Sequence, residues 1–397
     1  MDYVGLDVHK VKTQICVRDE QGKIVDESRV RTRREELVEA VKPQAPCRVL
    51  LDASTEARWV AAALSKIEGV KVIVADPNYR AMYSSRGEHK KTDKDDARAL
   101  AEAARTGVWR EVHLPDDAHV RLRQRHRVRA TLVRTRTTII NLCRAVVRQE
   151  GFRVKSGEAE HFGDRLEKLE GLPADLKEIL EPAVETLSTI NEQIGRCDER
   201  VAEAAKTDEG ARLLVTVPYV GPVIATAFAA AVGDPKRFQK ARHAGSYFGA
   251  APRVSGSGEG GNHNGRMTKR GNSYVRGLLA QAASNILKSK KAEVKPLQDW
   301  AVRIAQKHGT VKRAGRMKNV GHKIAVGALS RRLAVIMTAM LKTKPRVRRP
   351  SGPGCEPGPP WRRGRARWRR WSASFWGAEP TGGARKRQVG RLRPASR

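Results

Sequence analysis

Four aspartates in the first hundred residues are of the type and spacing that hold divalent cations. They are Asp7 in YVGLDVHK, Asp52 in RVLLDAST, and Asp93 with Asp96 in KTDKDDARALAEA. Asp7 and Asp52 sit among apolar neighbours, where a carboxylate is costly unless something is bound to it. Asp93 and Asp96 are three apart on a predicted helix and share a face. Each alone reads as an ordinary strand-end or helix-start residue. Together they form an all-oxygen donor set for hard cations, Mg2+ above all. Two such ions about 3.5–4 Å apart can clamp the attacking and leaving oxygens of a phosphate. The surrounding chain carries 78 Lys and Arg against 43 Asp and Glu. Carboxylates held beside a polyanion need a cation between them, so the chemistry implied is phosphodiester cleavage or transfer on nucleic acid.

A second candidate lies in the glycine-rich stretch FGAAPRVSGSGEGGNHNGRMTKRGN, read as one long loop. Ser255 and Ser257 offer hydroxyl nucleophiles, and glycines at 256, 258, 260 and 261 leave the backbone open to a phosphate. Arg253, Arg266 and Lys269 could neutralise phosphate oxygens and developing charge. By spacing alone, a serine in such a loop is more often a turn residue than a nucleophile. His263 has no His or Cys partner at a ligand spacing, which argues against zinc there. The five cysteines are scattered without a CxxC pair, against both a zinc ribbon and a disulfide framework.

These groups need a scaffold. Residues 2–31 alternate into three strands. A helix over about 33–43, a strand at CRVLLDAS, a helix at ARWVAAALSKI and a strand at VKVIVAD follow. Another helix begins near Asp93. Three strands and then alternating helix and strand predict an α/β mixed sheet with the element order of the ribonuclease-H-like fold. From 118 to 206 the pattern is helical throughout. Residues 121–148 hold nine arginines, among them Arg121, Arg125 and Arg129. The bland reading is an amphipathic helix with a solvated basic face. The sharper one is a helix along phosphates, since arginine favours bidentate contact. Residues 174–206 predict an antiparallel or intermolecular helical pair.

Residues 211–250 place a Pro-Tyr-Val-Gly-Pro turn between two helical runs. This is either a helix-hairpin-helix that offers backbone N–H groups to phosphate or a plain tight turn. Two closing helices follow, at 271–290 and 320–341. Residues 344–397 change composition, with 16 Lys and Arg, two Glu and four of the seven Trp. A disordered tail is predicted, either stacking Trp on bases or translated outside the ancestral frame. The domains expected are 1–112, 113–206, 207–343 and the tail 344–397.

The chain has 397 residues and a formal charge of +35. Such charge selects a polyanionic partner and says little about fold. An anionic membrane is the rival, but no apolar run reaches the length of a span and no signal-peptide core stands at the N-terminus.

The stretches YVGLDVHK, LLDASTEARWVA, VIVADPNYRAMYSSR, KTDKDDARALAEA, TVPYVGPVIATAF, RFQKARHAGSYFGAAPR, SGEGGNHNGRMTKRGN and ALSRRLAVI occur together in this order. In these the chain resembles the DEDD transposases of bacterial insertion sequences, relatives of the Piv DNA invertase and bridge-RNA-guided recombinases. The resemblance implies a RuvC-like N-terminal α/β domain, a helical coiled-coil middle and a mainly α C-terminal transposase domain. It puts the catalytic, Mg2+-holding acids on Asp7, Asp52, Asp93 and Asp96. The serine nucleophile falls on Ser257, with Ser255 as fallback. It further implies DNA partners (element ends and target), a structured noncoding RNA, dimers pairing into tetramers, no membrane, and a cytoplasmic, nucleoid-associated site in bacteria. Two departures stand out. Asp52 replaces the usual Glu, with Glu56 one helical turn on as a possible substitute, and the tail is atypical. Two other functions compete: a RuvC-like junction endonuclease that needs no serine, and a decayed nucleic-acid-binding remnant.

Overall fold

The computed structural model describes residues 1–85, 92–255, 263–313 and 316–343. The tail 344–397 and Ser257 lie outside the described residues. The chain divides into two compact units, Met1–Pro115 and Asp116 onward.

The first unit is built on a five-stranded mixed sheet: β1 (Asp2–Val8), β2 (Lys12–Arg18), β3 (Ile24–Arg31), β4 (Cys47–Asp52) and β5 (Val70–Ala75). Their spatial order is β3-β2-β1-β4-β5. The first three strands form an antiparallel meander, and β4 and β5 join parallel beside β1. Helices α1 (Arg34–Val41) and α2 (Ala57–Leu64) connect the later strands, and α3 (Asp93–Thr106) closes the unit. Alternation sorts β1 between two faces. Val4, Leu6 and Val8 pack with Leu37 and Val41 of α1 and Val60 and Leu64 of α2. On the opposite face Leu50 and Ile73 meet Leu100, Ala103 and Ala104 of α3.

The fit of α3 depends on residue 5. A Cβ there would lie 2.1 Å from the carbonyl oxygen of Ala97 and 2.3 Å from the amide nitrogen of Ala101. Only glycine lets the helix backbone come that close to the strand. Thr92 caps α3 by accepting from the Asp95 N–H, and Gly107 ends it in the left-handed region at φ 79°. The mixed sheet with helices on both faces is compatible with a ribonuclease-H-like domain.

The second unit is mainly helical. The long helices α4 (Asp117–Gln149) and α6 (Ala174–Thr207) flank the short α5 (Phe162–Glu167). The helical stretch is thus interrupted at 150–161 and 168–173, around Gly151, Gly171 and Pro173. Arg129 meets Asp198 and Arg136 meets Asn191, so α4 and α6 run antiparallel within one chain. Helices α7 (Glu209–Leu214) and α8 (Pro222–Val232) flank the Pro-Tyr-Val-Gly-Pro turn. There follow α9 (His243–Tyr247), α10 (Ser273–Lys288), α11 (Lys295–His308) and α12 (Val320–Thr343). Their shared core includes Phe228, Phe248, Leu279, Ile286, Leu329, Leu333 and Met337.

Three expectations need correction. The glycine-rich stretch is not one loop, because β6 (Pro252–Ser255) and β7 (His263–Met267) pair antiparallel at its two ends. Helix α11 and the strand pair β8 (Thr310–Arg313) and β9 (Arg316–Asn319) were not foreseen. And α12 is long and apolar enough by length and composition to cross a membrane. Its apolar surface is used in the helical core, where Ala325, Leu329, Leu333, Ala334 and Met337 are fully buried.

Candidate functional site

The four aspartates gather at the carboxyl ends of the two central parallel strands. Leu6 pairs with Leu51, so the residues that follow, Asp7 and Asp52, leave adjacent strands side by side. Leu50 points to the α3 face, and Asp52, two residues on, shares its side. Gly5 shares that face with Asp7, and the close approach it permits brings the first turn of α3 over the strand ends. Asp93, Asp95 and Asp96 all lie in that turn, where the helix dipole favours carboxylates. Asp95 is turned aside, accepting from the Thr92 hydroxyl at 2.7 Å and pairing with Arg98.

Asp7 is the buried centre, only 7% exposed. Burial pushes its pKa up to about 6; His9 partly offsets this, and the charges of Asp96, Asp52 and Asp93 each push further upward. The charges of the other three aspartates thus all reach Asp7. Asp93 is half exposed and also meets Arg29 of β3 at 3.6 Å. Oδ1 of Asp96 is screened from solvent.

One residue of the cluster was missed. His9 Nε2 lies 3.1 Å from Asp7 Oδ2 and 3.3 Å from Asp93 Oδ1. Burial disfavours charge on His9, but Asp7 and Asp93 outweigh it and raise its pKa. Asp7, His9 and Asp93 offer ligand atoms all within 4.8 Å of one another, a group that could hold a metal ion. The signal was legible, since residues two apart at a strand end share a side.

The site fits a divalent cation. Its carboxylates crowd a buried one whose ionised form is disfavoured, and a cation among them would relieve that repulsion. Glu56, the possible substitute for Asp52, is engaged elsewhere, accepting from the Trp59 indole N–H.

The basic residues divide by use. Arg129 is salt-bridged to Asp198, and Arg136 donates to Asn191 at 3.0 Å. Arg123 donates to the carbonyls of Ala230 and Ala231, and Arg144 lies over the Phe162 ring. Much of the arginine face of α4 is thus structural. Arg121 and Arg125 are exposed. In the second unit Arg253, Arg266 and Lys269 are exposed on or beside the β6–β7 hairpin, and Lys269 holds a left-handed φ of 56°. Ser255 is the last residue of β6, paired with His263.

A transposase family model of the DEDD, IS110 type matches residues 4–151, and one described as transposase IS116/IS110/IS902 family matches 211–297. Together they cover more than half of the chain. The chain belongs to the DEDD transposases of insertion sequences. A "probable family 20 transposase" of Pseudomonas aeruginosa is 27% identical over 334 residues, 83% of this chain and 96% of that protein. The transposase of insertion sequence element IS1111A from Coxiella burnetii is also 27% identical, over 83% of this chain and 89% of the relative. That of IS1328 from Yersinia enterocolitica is 26% identical over 75% and 87%. The first transposase match begins at β1 and takes in all four aspartates. The second spans the β6–β7 hairpin. As a transposase the protein is a DNA-processing enzyme, with DNA as partner.

Proposed function

We propose that this transposase cuts and rejoins DNA through a serine nucleophile, Ser257, assisted by Mg2+ held on Asp7, Asp52, Asp93 and Asp96. The observation that supports it most is the convergence of the other three carboxylates on the buried Asp7. Mg2+ bound there would supply Lewis-acid polarisation of a phosphate oxygen. The chain's own residues do the rest. Asp7 and Asp52 present oxygens from rigid strand ends, and α3 brings Asp93 and Asp96 from the opposite side. His9 orients the Asp7 carboxylate through its 3.1 Å contact. The Ser257 oxygen bonds to the DNA phosphorus as the bond to the sugar oxygen breaks, the hydroxyl proton passing to that leaving oxygen, and the resulting phosphoserine link is later reversed by a new DNA hydroxyl. Arg253, Arg266 and Lys269 neutralise the phosphate oxygens. Arg121, Arg125 and Arg129 of α4 belong to the nucleic-acid-binding set in this reading, Arg129 giving up its Asp198 partner to do so. A structured noncoding RNA specifies both DNA sites by pairing, which suits a chain with much positive charge and little base-reading machinery. Dimers that pair into tetramers are the working form, acting in the bacterial cytoplasm on nucleoid DNA.

The test is incubation with element-end DNA, the RNA encoded beside the gene, and Mg2+. A denaturation-resistant protein–DNA adduct mapped to Ser257 by mass spectrometry is expected, lost in Ser257→Ala. An adduct on Ser255 would move the nucleophile by two residues. Cleavage that survives Ser257→Ala with no adduct would make the protein a hydrolytic junction endonuclease instead.

A further inference from the structure

The second unit holds a cavity of about 620 Å³ between α4, α8 and the start of α10. Its charged lining is Arg123, Arg127 and Arg134, and among the described residues no carboxylate lines it. Arg123 is fixed by the Ala230 and Ala231 carbonyls at 2.8 and 3.2 Å, so its charge cannot swing away. Arg127 and Arg134 are exposed and, among the described residues, have no ion-pair partner. Seven residues apart, they stack on one face of α4, about 10 Å apart along its axis.

The far wall is built for an anion as well. Asn272 caps α10 by accepting from the Val275 N–H at 3.1 Å, leaving the N–H groups of Ser273 and Tyr274 directed outward at the helix start. Behind them His126, 3% exposed, is held by the Thr226 hydroxyl at 2.9 Å and the Tyr274 hydroxyl at 3.4 Å. That wall adds polar groups without adding negative charge. A cavity with three guanidiniums, a helix start and no acid is electrostatically incomplete. Arginine is suited to phosphate, which it can grip through two N–H groups at once. Phosphates in series suit this lining better than a free ion, because Arg127 and Arg134 offer two charges about 10 Å apart on one face of the helix.

We infer that this cavity seats backbone phosphates of duplex DNA, gripped by Arg127 and Arg134 and completed by the first turn of α10. The inference rests on the reading of DNA as substrate, but on neither the metal site nor the serine. Asp7→Asn and Ser257→Ala should therefore abolish cleavage and leave this contact intact.

The experiment is fluorescence anisotropy of the full chain with a labelled duplex DNA of random sequence, over a salt series without divalent cations. Arg127→Ala/Arg134→Ala should weaken binding about 10-fold or more. It should also reduce the slope of log K against log salt by about 1.8, the release expected for two phosphates. Arg148→Ala/Arg153→Ala, which removes equal charge from exposed positions outside the cavity, should change the slope by less than half as much. Ser273→Asp places a carboxylate at the helix start, where it favours folding. It should weaken DNA binding about 10-fold with Tm unchanged or raised. Equal slopes for the two arginine pairs would overturn the inference, since charge count alone would then explain binding. So would undiminished binding by Ser273→Asp. Loss confined to a structured RNA probe, with duplex DNA unaffected, would overturn the assignment to DNA.

Discussion

The acid cluster of the first unit and the arginine cavity of the second are opposite solutions to one problem, the handling of phosphate. Each gathers like charges that the fold alone does not neutralise. At the acids the crowding is buried: Asp7 is 7% exposed and its position is set by backbone contact between β1 and α3 at Gly5. At the cavity the charges ride on long, exposed side chains, and only Arg123 is pinned. A buried cluster stores its repulsion in the folded state, whereas an exposed one loses most of it to solvent. Stability should therefore be sensitive at the first site and indifferent to the exposed arginines of the second.

Gly5→Ala tests the rigid side of the contrast and should have the largest effect. A methyl group 2.1 Å from the Ala97 carbonyl oxygen cannot be accommodated, so α3 must move. A loss of about 3 kcal/mol in urea denaturation is expected, at the upper end for overpacking, together with loss of DNA cleavage. A variant that keeps wild-type stability would show that the contact does not position α3.

Asp7→Asn should act in the other direction on stability. Because the Asp7 pKa is raised from 3.8 to about 6, the folded state keeps a proton that the unfolded chain gives up. Without divalent cations, stability should fall as pH rises from about 4 to about 6, by an amount on the order of 3 kcal/mol, and stay low above that. Asn removes this loss, so the variant should be more stable than wild type at pH 8 and yet inactive. Added Mg2+ should raise the Tm of wild type and leave that of Asp7→Asn unchanged. A wild-type Tm indifferent to Mg2+ would count against the metal site.

On the basic side His126 should show the reverse pH dependence. Burial lowers its pKa from 6.5 to about 4, with Arg129 adding to the effect. The folded state then refuses a proton that the unfolded chain accepts, so stability falls as pH drops through this window. At pH 5 the loss is about 2 kcal/mol, and His126→Gln should abolish the dependence. Thermal melts between pH 7 and pH 5 decide it. Last, Arg127→Ala should change stability by no more than about 0.5 kcal/mol, since the side chain is exposed and unpaired among the described residues. A larger change would mean that the cavity is held together by its arginines.

Much of the first unit was legible because its elements are strongly patterned. Strand β1 alternates through Val4, Leu6 and Val8, β5 runs apolar through its last four residues, and α3 carries a capping threonine and an acidic first turn. Helix α11 was missed for the opposite reason. Its core positions are few, with only Leu297 and Ala301 buried, and its period stands out weakly among polar residues. The hairpin strands β6 and β7 were hidden by glycines that read as loop, because cross-strand pairing such as Val254 with Asn264 has no signature within either segment alone. His9 was overlooked although its spacing from Asp7 was visible. A histidine takes meaning only from what faces it, and Asp93 lies 84 positions away in the chain.

Residue types and short-range order alone determined that this chain carries aspartates on a mixed sheet, a basic helix and a family pattern shared with transposases. Which arginines of α4 are tied to Asp198, Asn191 and the α8 carbonyls, and which remain for a ligand, was decided only by the packing of α4 against α6 and α8. The same holds for the meeting of Asp7, Asp52, Asp93 and Asp96. Local sequence sets backbone propensity, but charge–charge energy depends on distances through space, and those exist only once α3 has closed on Gly5.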